Sequence, residues 1–198
     1  MKRKTHMVLA MVAGLCFSMN LFANAGEDDL QKKKYANSKF TWTENYVTEG
    51  ANCALAPNAE EIVTTCLSKD GKPRRWVRKN DIYKFGKYTG TSTFETALYN
   101  MSIDEMINNF EKDGTLRTGL YWGGVWTRDV SYSSLLALAY VCPDKVKNSL
   151  EVKIDRMGRI SQDTGTGGAW PCSTDRMIWV GAAWEIYKVT GSREWREK

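Results

Sequence analysis

From residue 93 onward, apolar positions recur at helical intervals. Phe94, Leu98, Met101, Met106, Ile107 and Phe110 line up at steps of three and four, which predicts a helix with one apolar face, stopped by Lys112-Asp113-Gly114. A second helix is expected over 131–141, with Leu135, Leu136, Leu138 and Ala139 apolar nearly all round and Asp129 or Ser131 capping its start. Pro143 suits the first turn of a third, which carries Val146, Leu150 and Ile154 on one face. A fourth is expected over 175–189, capped by Ser173 or Thr174 and ended by Gly191. Its Met177, Ile178, Val180, Ala182, Ala183, Trp184, Ile186 and Tyr187 surround it with apolar surface, the pattern of a helix buried among others. Residues 191–198 read as the opening of a fifth helix. Two nearly all-apolar helices need more partners than these segments supply, so 93–198 is expected to be the front part of a larger helical domain.

The front of the chain is patterned differently. Residues 26–40 are charged and poor in apolar side chains, with Lys32-Lys33-Lys34 among them, and read as a solvated leader. Ile62-Val63-Thr64-Thr65 has strand character, and Asp70-Gly71 and Lys72-Pro73 are turn signals. Residues 57–61 equally suit a helix start. The segment 26–92 is therefore expected to be a small irregular or β-containing region. Ahead of it, Lys2, Arg3 and Lys4 precede an uncharged run over 7–22, then Ala23-Asn24-Ala25 and the acidic Gly26-Glu27-Asp28-Asp29. That order predicts a signal peptide over 1–25, too short in its apolar run for a bilayer span, and a periplasmic or secreted mature protein without stable membrane insertion.

Composition narrows the chemistry. The chain has 198 residues, 42% of them hydrophobic and 26% charged, an ordinary globular balance, with eight Trp and nine Tyr. Losing Lys2, Arg3 and Lys4 with the signal lowers the formal net charge from +5 to +2, which leaves no footprint for nucleic acid. His6, the one histidine, goes too. Serine or cysteine catalysis through histidine, and His-ligated zinc, are then excluded within the expected mature chain, and acid/base work falls to carboxylates, Tyr or Lys. Cys53, Cys66, Cys142 and Cys172 show no CxxC spacing, so no metal site is expected. Cys53 and Cys66 are close enough to close a small loop, worth about 3 kcal/mol if bonded; Cys142 and Cys172 read equally well as free thiols.

Two stretches carry candidate chemistry. Tyr121-Trp122-Gly123-Gly124-Val125-Trp126-Thr127-Arg128-Asp129 combines a freed backbone, flat aromatic faces and a charged pair at a helix start. Aromatic rings suit the apolar face of a pyranose, and an Arg beside an Asp supplies donors and acceptors for adjacent hydroxyls. Alternatively Asp129 caps its helix and Arg128 bridges another carboxylate. The second stretch, from Gln162 to Arg176, repeats the design: Gly165, Gly167 and Gly168, then Trp170, then Asp175-Arg176. A capping Asp175 and a packing Trp170 are the structural alternative. No Gly-Lys-Ser/Thr follows these glycines, so a phosphate cradle is not expected, and no cofactor is implied. If the two loop-to-helix turns share one end of a helical array, they form one pocket.

Trp126-Thr127-Arg128-Asp129 before an apolar helix resembles the Trp-x-Arg-Asp element of six-hairpin glycosidases, the glucoamylase-like superfamily. Asp163-Thr164-Gly165-Thr166-Gly167-Gly168-Ala169-Trp170-Pro171, with Ser173-Thr174-Asp175-Arg176, then Trp184 and Thr190-Gly191, looks like its next inner-helix repeat. The resemblance spans roughly 81–198. It implies a mainly α fold, a partial (α/α)6 toroid, in which Trp126, Arg128, Asp129, Trp170, Asp175 and Arg176 line a sugar site. It further implies inverting hydrolysis of an oligosaccharide by the complete protein; it assigns no catalytic acid or base among these residues. Twelve helices of about 11–12 residues need on the order of 200 residues with their connections, so 93–198 amounts to half a ring at best. A non-catalytic carbohydrate-binding module is the alternative, and a polysaccharide lyase using Tyr132 beside Arg128 a further one.

Overall fold

The computed structural model describes residues 35–36, 39–161 and 174–197. The expected signal peptide, most of the leader, and the stretch holding Trp170 and Cys172 lie outside the described residues. The chain divides into two compact units, one made of 1–77 and 89–98, the other of 78–88 and 99–198.

The first unit is an antiparallel meander. Strands β1 (Tyr35–Ala36), β2 (Phe40–Trp42), β3 (Tyr46–Glu49), β4 (Asn52–Asn58), β5 (Glu61–Leu67) and β6 (Pro73–Val77) pair in chain order. Short turns join them for local reasons. Gly50 adopts φ +56° between β3 and β4, and Gly71 φ +74° between β5 and β6, a region other residues rarely enter. Between β4 and β5 the Asn58 side chain accepts the Glu60 N–H at 2.8 Å, and Asn58 pairs with Glu61. The helix start that 57–61 also permitted is thereby replaced by a hairpin turn. Ala56 and Ile62 are buried, and Trp42 meets Phe94 edge-on at 5.5 Å. Register decides the cysteines. Ala54 faces Thr64, so Cys53 faces Thr65, whose hydroxyl accepts the Cys53 N–H at 2.8 Å. Cys66 therefore projects from the opposite face of the sheet, and the two thiols remain unbonded.

The second unit is helical. Helix α1 (Thr93–Asn108) begins in the first unit and continues into it. Ser92 caps α1, its hydroxyl accepting the Glu95 N–H at 3.1 Å, while Glu95 accepts from the Thr91 N–H. The buried stripe is Phe94, Ala97, Asn100, Ile103, Asp104 and Met106, and Leu98 lies outside it. Burial of a carboxylate there is compensated: Asp104 accepts the backbone N–H groups of Lys79 and Asn80 and the Asn80 amide. The second helical run, α2, starts earlier than expected: Thr127–Ser133 is α-helical, Ser134–Leu138 takes π geometry and Ala139–Val141 returns to α. Trp126 stands at its N-cap without a side-chain capping bond, so neither Asp129 nor Ser131 caps it. Helix α3 (Pro143–Glu151) has Pro in its first turn, as anticipated. Helix α4 (Asp175–Thr190) ends on Gly191 in the left-handed region, and α5 (Arg193–Glu197) buries Trp195. Val130, Ala139, Val146, Leu150, Ala182 and Ile186 form the shared core of α2, α3 and α4.

One local design occurs twice. After α1, Glu111 N–H bonds Thr115 O, Gly114 N–H bonds Glu111 O and Arg117 N–H bonds Asn109 O. After α3, the same three bonds recur at a constant offset: Asp155 to Arg159, Gly158 to Asp155, Ser161 to Lys153. Phe110 bridges Leu116 as Ile154 bridges Ile160. Each helix thus runs into a tight β-hairpin that leads toward the next helix.

These observations correct the fold expectation. A six-stranded antiparallel sheet joined to a few helices is a mixed fold; it is neither mainly α nor a partial (α/α)6 toroid, and the six-hairpin resemblance does not hold. Helical periodicity over 93–198 reported the helices correctly but carried no information on how they are arranged. Nor is α4 buried all round. Met177, Val180 and Trp184 face outward, as do Leu136 and Tyr140 on α2.

Candidate functional site

The loop between the first hairpin and α2 is built around Arg117. Its Nε donates to Gly119 O at 3.0 Å and its Nη2 to Leu120 O at 3.2 Å. Gly119 and Trp122 exchange backbone bonds at 3.1 and 3.3 Å, which closes a four-residue turn. Beyond it, Trp126 is fixed from both neighbours. Buried Lys153 donates to Val125 O at 3.2 Å, and buried Thr127 donates its hydroxyl to Ser161 O at 2.5 Å. On the far side the donor Lys153 and the acceptor Ser161 flank the second hairpin, so it holds the segment that opens α2.

At that opening lies a cavity of about 340 Å³ lined by Thr118, Trp122, Trp126, Thr127, Arg128, Asp129 and Asp175. Trp122 and Trp126 meet edge-to-face at 6.0 Å and form two faces of its wall. Arg128 Nε donates to Asp175 Oδ1 at 2.8 Å, joining the starts of α2 and α4. The pair is asymmetric: the Asp175 side chain is 7% exposed and that of Arg128 60%. The hydrogen bond to Asp175, ahead of its charge and that of Asp129, pushes the Arg128 guanidinium above its usual value. It is a permanent cation at the rim, with a single N–H of its five in that ion pair. Asp129 lines the cavity as an exposed carboxylate. Among the described residues of the lining, one guanidinium and two carboxylates give a formal charge of −1.

Of the residues anticipated from sequence, Trp126, Arg128, Asp129 and Asp175 come together here. Arg176 turns away, its Nε donating to Ile160 O at 3.2 Å on the second hairpin. Trp170 lies outside the described residues. Trp122, Thr118 and Thr127 join the lining, and Lys153 supports it from behind. Trp122 belonged to a suggestive stretch, but no spacing distinguishes a wall tryptophan from a packing one. Lys153 gave no signal, because a single lysine in a charged segment reads as solvated.

Elsewhere, burial pushes the Cys142 thiol up to about 12 and the Cys53 thiol up to about 11, which keeps both protonated near neutrality. Among the described residues no group of three His, Cys, Asp or Glu side chains is arranged to hold a metal ion, and no helix is long and apolar enough to cross a membrane. Compared with known proteins, the chain matches no family model, no curated protein and no solved structure.

Proposed function

We propose that this protein is an exported carbohydrate-binding protein whose ligand is a neutral oligosaccharide held in the cavity at the start of α2. One observation carries the reading: two tryptophan faces and the Arg128–Asp175 pair converge on a single cavity. A pyranose offers an apolar face to such rings and a rim of hydroxyls to such charges, and bonds to charged groups are the stronger ones. The volume is in the range of small-molecule sites, about 300–1,000 Å³. The formal charge of −1 on the described lining residues favours a neutral ligand over a uronate, which argues against the lyase alternative. Export rests on the order of basic, apolar and small residues over 1–25.

Titration calorimetry with glucose, mannose and their oligomers tests the reading. Binding is expected, with loss of most affinity in Trp126→Ala and Asp129→Ala; no heat with any of them removes it. Hydrolysis is the second reading. It draws on the presence of Asp129 and Asp175 in one cavity, since glycosidic cleavage needs two carboxylates. The engagement of Asp175 by Arg128 favours binding without turnover. Release of nitrophenol from aryl glycosides, lost in Asp129→Asn, would favour hydrolysis instead. Sequencing the exported protein's N-terminus should give Gly26 first.

A further inference from the structure

Leu120, Tyr121 and Trp122 are 72%, 88% and 63% exposed, three consecutive large apolar side chains presented to water. Contiguous apolar surface left exposed marks interaction sites. Their backbone is not loose. The Gly119–Trp122 turn is closed by reciprocal backbone bonds, and Arg117 grips it through the carbonyls of Gly119 and Leu120. Arg117 is itself drawn to Glu111 at 3.6 Å. A propped turn displays its aromatic rings at little further conformational cost on binding, which is how preorganisation raises affinity.

Position gives the display its meaning. Trp122 is both the last residue of the turn and a wall of the cavity, and Tyr121 stands next to it, outside the lining. Tyr121 and Trp122 are thus neighbours in one turn, one in the lining and the other exposed beyond it. We infer that Tyr121 is an outer stacking platform, so that the ligand is an oligosaccharide whose second or third ring rests on Tyr121 while the first occupies the cavity. Arg117 is the positioning residue that holds the platform in place. This inference rests on the carbohydrate reading above. It adds that recognition extends along the sugar chain.

The test is calorimetry on the exported protein, with D-glucose, D-mannose and their 1,4-linked oligomers of two to four units as probes. In the wild type, affinity is expected to rise with length. In Tyr121→Ala the gain from lengthening should fall by about tenfold, the size of one aromatic stacking contact. Tyr121→Phe should keep the gain, because the ring face and not the hydroxyl does the binding. Arg117→Met should reduce it with the ring still present. Tyr121 is exposed, so its replacement leaves the fold intact. If single sugars bind but lengthening adds nothing, or if Tyr121→Ala keeps the gain, or if Tyr121→Phe loses it, the platform is refuted and the cavity reading stands. If none of the probes binds at any length, both fall together.

Discussion

The two hairpins that follow α1 and α3 share a backbone and divide the work. The first, Phe110 to Leu116, has its strand-end Leu116 buried, and the Leu116 N–H is accepted by Ser149 at 2.8 Å. Arg117, just beyond it, reaches forward onto the aromatic turn. The second, Ile154 to Ile160, has only half-buried side chains at its bridge. Its flanking residues, Lys153 and Ser161, reach across to Val125 and Thr127 instead. A repeated backbone provides the scaffold; the cavity arises because the repeats differ in what flanks them.

Apolar truncation should separate the two most strongly. Leu116→Ala is expected to cost about 3 kcal/mol, as buried leucines do, and Ile160→Ala clearly less, read from urea unfolding midpoints. Equal losses would mean that both hairpins are core elements. Lys153→Met removes the ammonium's bond to Val125 O, and a hydrogen bond from a charged group is worth about 1.5–3 kcal/mol. It should also weaken sugar binding through Trp126, which Asn109→Met at the matching position of the first hairpin should not do. The turn glycines sharpen the comparison further. Gly114 and Gly158 both have positive φ, +86° and +74°. A Cβ on Gly114 would sit 2.9 Å from the Asn148 amide nitrogen, while one on Gly158 meets nothing within 4 Å. Gly158→Ala is thus expected to cost about 1 kcal/mol from backbone strain alone, and Gly114→Ala more, by thermal denaturation.

Acid titration gives the smallest effect. Asp113 is held below the usual carboxylate range chiefly by the Thr115 hydroxyl, and Asp155 chiefly by the Arg159 N–H. A carboxyl depressed in the folded state stabilises it above the unfolded value, near 3.9, and that contribution is lost as pH falls through the folded value. Between pH 5 and 2 the melting temperature should fall, and Asp113→Asn or Asp155→Asn should each flatten part of that decline. Asp113 is exposed and Asp155 half-buried at the surface, so the change is slight; a decline unaltered by both substitutions removes the carboxylates from the account. Iodoacetamide at pH 8, followed by peptide mass spectrometry, should modify exposed Cys66 well before Cys53 or Cys142, whose thiols burial keeps protonated.

The elements themselves were largely legible. Pro143 marked the start of α3, Gly191 the end of α4, and Ile62 to Thr65 lay inside β5. Arg128, Asp129 and Asp175 were recognisable as candidates because each charged pair follows glycines and a tryptophan in the sequence and opens a helical pattern. Three things were not legible. Apolar residues around α4 suggested enclosure, yet Met177, Val180 and Trp184 face outward, because a count of apolar positions does not say how many neighbours are present. The segment 26–92 concealed a meander that begins at Tyr35, inside the expected leader, because several of its strands are too short and polar to show alternation. The motif order around Arg128 and Asp175 suggested a ring that the sheet excludes.

Local sequence by itself determined the start of α3 at Pro143 and the end of α4 at Gly191, because proline and glycine φ act within a few residues. Only the tertiary structure decided which charges meet. Arg128 and Asp175 are far apart in the chain, and their 2.8 Å contact exists because α2 and α4 pack on a common core and bring their first turns together. It also decided that Lys153 is buried and donates to Val125 O beside Trp126, a placement no local pattern foretells because lysines are rarely buried.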